Sequence, residues 1–88
     1  MWLMECPNFD EGLIRPIVAE EGRVILFCDS ADCIWLHPEG VSSVEAVYAT
    51  GPDWEVAPGV HLTPGKTRWA TKEDVPQEWL ERFEWHDG

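Results

Sequence analysis

The segment Arg23-Val24-Ile25-Leu26-Phe27-Cys28 is an almost unbroken apolar run closed on both sides by turn signals, Glu20-Glu21-Gly22 before it and Asp29-Ser30-Ala31-Asp32 after it. A run this short and this apolar reads as a strand buried on at least one face. Its neighbours follow from the same punctuation. Leu13 to Ala19 reads as the preceding strand, with Pro16 placing it on a sheet edge or at a bulge, because proline has no N–H for a ladder. Cys33-Ile34-Trp35-Leu36-His37 begins a third strand, and His37-Pro38-Glu39-Gly40 ends it. Tight turns between successive strands imply a small antiparallel sheet.

Past this block the pattern loosens. Between Val41 and Tyr48, Val44, Val47 and Tyr48 fit helical spacing, while Val44, Ala46 and Tyr48 would share one strand face; the reading taken is a helical turn capped by Ser42 or Ser43. From Gly51 to Gly65 the repeated Pro and Gly imply a loop with short extended pieces such as Val60-His61-Leu62. The last segment carries the strongest helix signal. Asp74 is placed as its N-cap with Gln77 three residues on, and Pro76 sits in the first turn, where its missing N–H costs little. Val75, Trp79 and Phe83, with Leu80 alongside, make one apolar stripe suited to packing on the sheet. The expected fold is therefore α+β, a small antiparallel sheet packed with a C-terminal helix, over one domain spanning residues 1–88.

Composition allows this without a staple. Hydrophobic residues make up 44% and tryptophans number six, and each well-buried aromatic removes about 150–250 Å² from water. No apolar run reaches the roughly 18–20 residues that a membrane span requires. The start, Met1-Trp2-Leu3-Met4-Glu5-Cys6, has neither a basic region nor a long apolar one, and the three cysteines are an odd number. The expectation is a cytoplasmic chain with free thiols and no membrane partner.

The cysteines fall in a pattern. Cys6-Pro7-Asn8-Phe9, a hairpin, Cys28-Asp29-Ser30-Ala31-Asp32-Cys33 and a third strand together resemble a zinc ribbon, in which two Cys-x-x-Cys knuckles are joined by a hairpin. The resemblance covers roughly residues 4–38 and is degenerate. Phe9 stands where a second cysteine belongs, and the second knuckle has four intervening residues instead of two. Structural zinc takes four N/S ligands. The resemblance offers Cys6, Cys28 and Cys33, with His37 in reach as a fourth and Asp10, Asp29 or Asp32 as weaker substitutes. The reading adopted is a metal-free ribbon, with no cofactor, the cysteines acting as small buried hydrophobes and Phe9 filling the metal's space. A zinc-binding structural or adaptor domain is the alternative.

Charge narrows the function. Seventeen acidic residues against six Lys/Arg give a formal net charge of −11, which repels nucleic acid and favours capture of a cationic partner. Lys66, Arg68 and Lys72 are too small a basic cluster to hold a nucleic acid. Thr63-Pro64-Gly65-Lys66-Thr67 lacks the upstream glycine of a phosphate loop. His37, His61 and His86 stand in no nucleophile or metal motif, and the acids beside Cys28 and Cys33 disfavour a thiolate. Nothing in the chain makes an enzyme. In size and acidity it resembles the immunity proteins of bacterial polymorphic-toxin systems, and that resemblance implies occlusion of the basic active site of a cognate toxin domain, a nuclease or an ADP-ribosyltransferase-like enzyme. The expected contact surface is the carboxylate-rich turns and the tryptophan among them, Asp10, Glu11, Glu20, Glu21, Asp53, Trp54 and Glu55, with Trp54 as anchor.

Overall fold

A computed structural model of the chain describes residues 1–8, 11–41 and 46–87. Seven short strands and one helix follow in order: β1 (Met4–Glu5), β2 (Leu13–Val18), β3 (Val24–Cys28), β4 (Ile34–Trp35), β5 (Glu55–Ala57), β6 (Val60–His61), β7 (Arg68–Trp69) and α1 (Gln77–Arg82), with a 3-10 turn at Pro38–Gly40. All described pairings are antiparallel. β1, β2, β3 and β4 lie side by side, and β7 pairs with the far half of β2, making a five-stranded sheet beside the small β5–β6 hairpin. The coarse expectation, an antiparallel sheet with one short C-terminal helix, is what the chain forms.

The continuous apolar run explains the layering. In a strand, successive side chains alternate between faces, so an all-apolar strand needs cover on both. Of β3, Val24, Leu26 and Cys28 point to one face and Ile25 and Phe27 to the other. Ile25 packs with Ile17, Ala19, Ile34, Val60 and Leu62 under the β5–β6 hairpin. Leu26 and Cys28 pack with Leu3, Cys6, Ile14, Cys33 and Trp35. Val24 packs with Ala70, Val75 and the helix residue Trp79. Ile14, Ile25, Leu26 and Ile34 are fully buried, each contributing about 1.5–3 kcal/mol. The sheet is thus sandwiched between a hairpin on one side and the helix with the chain's end segments on the other. At Gly22 the β2–β3 turn takes φ +93°, a conformation open to glycine.

Three expectations change here. Pro16 is neither at an edge nor at a bulge. It sits inside the central strand β2, opposite Leu26, and its carbonyl accepts from the Ala70 N–H at 2.9 Å. Its missing N–H falls on the side where β2 changes neighbours from β1 to β7, so the ladder to β3 loses nothing. Asp74 does not cap α1; the N-cap is Pro76, with no side-chain bond. Asp74 instead accepts from the Thr71 N–H at 2.8 Å and holds Arg68 through both guanidinium nitrogens, closing the turn that delivers β7 to the helix. Its stripe forms as expected, with Val75 and Trp79 buried and the Glu78–Arg82 pair in place at 2.9 Å. The capping Ser42 and Ser43 lie outside the described residues, but Val47 bonds Ile34 in both directions as an isolated antiparallel bridge, so this end of the segment is extended.

Candidate functional site

The β2–β3 turn and the β5–β6 hairpin meet at one end of the sheet, and their carboxylates converge on His61. The hairpin is set by Pro58-Gly59, which places Glu55 opposite His61 across a bulge. The Glu20 N–H donates to the His61 carbonyl at 3.0 Å, locking the turn to β6. One Glu21 oxygen accepts from the His61 N–H at 2.8 Å, while the other meets the ring Nδ1; Glu55 lies 3.6 Å from Nε2. Glu20 accepts from the Thr63 hydroxyl at 2.8 Å and pairs with Lys66 at 3.3 Å. Asp53 accepts from the Glu55 N–H at 3.3 Å.

The electrostatics follow from this. The Glu21 carboxylate, aided by Glu55 and Glu20, raises the His61 pKa above its ordinary value. The His61 N–H lowers that of Glu21, and the Thr63 hydroxyl, with Lys66, lowers that of Glu20. Glu20 and Glu21 are thus stabilised as anions, Glu21 by the His61 backbone and ring and Glu20 by Thr63 and Lys66.

Trp54 stands at the edge of this cluster, half-buried, with its indole beside Gly51. Its N–H donates to the Thr50 carbonyl and its own carbonyl accepts from Leu62. The backbone at Trp54 has φ +59°, a left-handed conformation that costs a residue with a β-carbon about 1–2 kcal/mol. Phe27, Asp32, Ile34, Ala49, Trp54, Leu62 and Pro64 line a groove of about 310 Å³ between the indole and the sheet.

Of the expected contact residues, Glu20, Glu21, Asp53, Trp54 and Glu55 lie on the two neighbouring turns. Glu11 does not join them. It precedes Gly12 at the start of β2 whereas Glu20 follows its end, and six strand residues separate the two by about 20 Å. Asp10 lies outside the described residues. His61 and Asp32 were legible only as a histidine without a motif and as a weak metal substitute. The signal for His61 was the Pro58-Gly59 turn, which pairs it with Glu55.

The three cysteines do come together, all buried in one cluster. Cys28 stands opposite Cys33 at the β3–β4 turn, with the Cys28 N–H donating to the Cys33 carbonyl at 3.0 Å. Asn8 Nδ2 donates to Cys33 Sγ at 3.3 Å. Burial and a hydrogen bond with Cys28 push the Cys6 thiol up to about 11. His37 has other contacts: its Nδ1 accepts from the Glu39 N–H, and its ring packs edge-on against Trp79 and Phe83. Asp29 is also spoken for, accepting from the Leu13 N–H, Arg15 and Ser30. Among the described residues no group of three or more His, Cys, Asp or Glu is arranged to hold a metal ion. Also among them, no helix is long and apolar enough to cross a membrane.

No family model, curated protein or solved structure matches the chain.

Proposed function

We propose that the chain acts by binding, as an immunity protein that covers the basic active site of a cognate bacterial toxin domain. The observation that carries this is the gathering of Glu20, Glu21, Asp53 and Glu55 on two adjoining turns beside a half-buried tryptophan, in a chain of net charge −11. Four of the six Lys/Arg are paired with the chain's own carboxylates, Arg15 with Asp29, Lys66 with Glu20, Arg68 with Asp74 and Arg82 with Glu39 and Glu78. What faces outward is therefore surplus negative charge. Such a field accelerates encounter with a cationic cleft and opposes anionic competitors. Occlusion needs no chemistry from the inhibitor, and the reading accordingly assigns it no catalytic residue.

The test is recovery of the tagged chain from its native cell, with assay of what elutes. A basic domain at equal stoichiometry, released by salt and inhibited by added chain, is the expected result. Glu20→Gln/Glu21→Gln should slow association while leaving the circular dichroism spectrum unchanged. Recovery of no basic partner, or inhibition indifferent to salt and to these substitutions, overturns the reading.

A further inference from the structure

We propose that the groove beneath Trp54 is a receptor for one arginine side chain, donated by the basic partner; the inference rests on the binding reading above and names the chemistry of its central contact. The molecule contains the arrangement once already. The Arg15 guanidinium is held by Asp29 at 3.0 Å and lies over the indole of Trp69, 5.8 Å from the ring centroid. A carboxylate thus directs the guanidinium while an aromatic face covers it, the two interactions that this planar cation makes best.

The groove offers the same pair of groups without a cation. Asp32 and Trp54 both line it, and the remaining walls, Phe27, Ile34, Ala49, Leu62 and Pro64, are apolar. None of the described lining residues is basic. Asp32 makes no hydrogen bond or ion pair with any described residue, whereas the Asp29 carboxylate, three residues earlier, has three partners. At about 310 Å³ the space is at the small end of ligand pockets, of order 300 Å³, and suits one side chain better than a cofactor. Asp53 and Glu55 flank Trp54 in sequence. The position of Trp54 adds an independent indication. Glycine occupies φ +59° freely, whereas the chain carries a tryptophan there despite the strain.

The experiment uses the full chain, ¹⁵N-labelled, titrated at constant ionic strength with N-acetyl-arginine amide, N-acetyl-lysine amide and N-acetyl-leucine amide. Saturable shifts at the Trp54 indole N–H and the Asp32 and Leu62 amides are expected with the arginine compound. Lysine should bind about fivefold more weakly, since its ammonium has no planar face to stack, and the leucine compound should leave these signals in place. Asp32→Asn should weaken arginine binding about tenfold, the scale of a charge-assisted contact. Trp54→Gly should abolish it while the β2–β3 amide signals stay put. Shifts that spread over exposed carboxylates such as Glu73 and Glu81 without saturating, or that persist in Asp32→Asn, overturn the site. Failure here and failure of the inhibitor reading are separable. A basic partner whose affinity ignores Asp32→Asn and Trp54→Gly removes the groove and keeps the inhibitor, whereas saturable arginine binding with no basic partner does the reverse.

Discussion

On the helix side of the sheet, Cys6, Cys28 and Cys33 are packed among Leu3, Ile14, Leu26 and Trp35 and screened from water. At the hairpin end the acids stay within reach of solvent: Glu21 accepts from the His61 N–H, Glu20 accepts from Thr63 and Lys66, and Glu55 lies 3.6 Å from the His61 ring. Both regions collect heteroatoms, and the sequence marks the first more conspicuously, since cysteines are few and acids are many. Yet the cysteines are closed off from water, and the acids are organised at the surface. Clustering of reactive atom types therefore does not distinguish a packing unit from a site; what does is whether their polar capacity is used up inside or offered outward.

The comparison can be broken most forcefully at Gly12. A β-carbon there would lie 2.5 Å from Cys28 Sγ and 3.2 Å from Cys6 Cβ, so Gly12→Ala should cost about 3 kcal/mol by overpacking, read as a lowered midpoint in urea. If the thiols are filler, Cys28→Ala in the same chain should recover part of that loss, because it removes the atom that clashes. Next in size, Cys28→Ser should cost about 2 kcal/mol, as its hydroxyl enters a largely apolar cluster with only the weakly bonding Cys6 thiol as partner; an unchanged midpoint would mean that the thiol cluster is wetter than its burial indicates.

The hairpin end answers to pH instead. The raised His61 pKa favours the folded state fully below the ordinary value of 6.5 and loses that contribution as pH rises through the raised value. The lowered Glu21 pKa contributes above its ordinary 4.5 and loses it as pH falls through the lowered value. The melting-temperature gap between the native chain and Glu21→Gln should therefore be widest between pH 4.5 and 6.5 and narrow on either side. A gap independent of pH would show that Glu21 acts only as an acceptor for the His61 N–H. The smallest expected effect is zinc. One equivalent added to the reduced chain should leave the melting temperature unchanged, and a rise would restore the thiols to the status of ligands.

Local signals in the sequence were reliable where a single physical cause dominated. The apolar run of β3, the turn at Gly22 and the Val75/Trp79/Phe83 stripe all follow from burial periodicity or turn chemistry. Pro16 was misread because its meaning depends on which strand lies beyond β2, and β1 and β7 come from opposite ends of the chain. Asp74 was misread because two partners competed for it, and the Arg68 guanidinium with the Thr71 N–H offered more than the helix start. At the candidate site, the acidic turns were visible but their meeting was not, since Glu21 and His61 are 40 positions apart. Asp32 was visible as a carboxylate only; that it is left over could be learned only once Asp29 had been seen to take the nearby donors.

Trp2 and His86 exchange backbone hydrogen bonds at 2.9 and 2.8 Å and stack their rings 4.3 Å apart. Backbone and rings together thus hold residues 2 and 86 side by side. A short peptide joining these two ends, with new ends opened at the exposed Pro64–Gly65 turn, should give a circular permutant that folds to the same sheet. In that rearranged order β7 and α1 would emerge first, and both outer neighbours of β2, β7 and β1, would precede it in sequence.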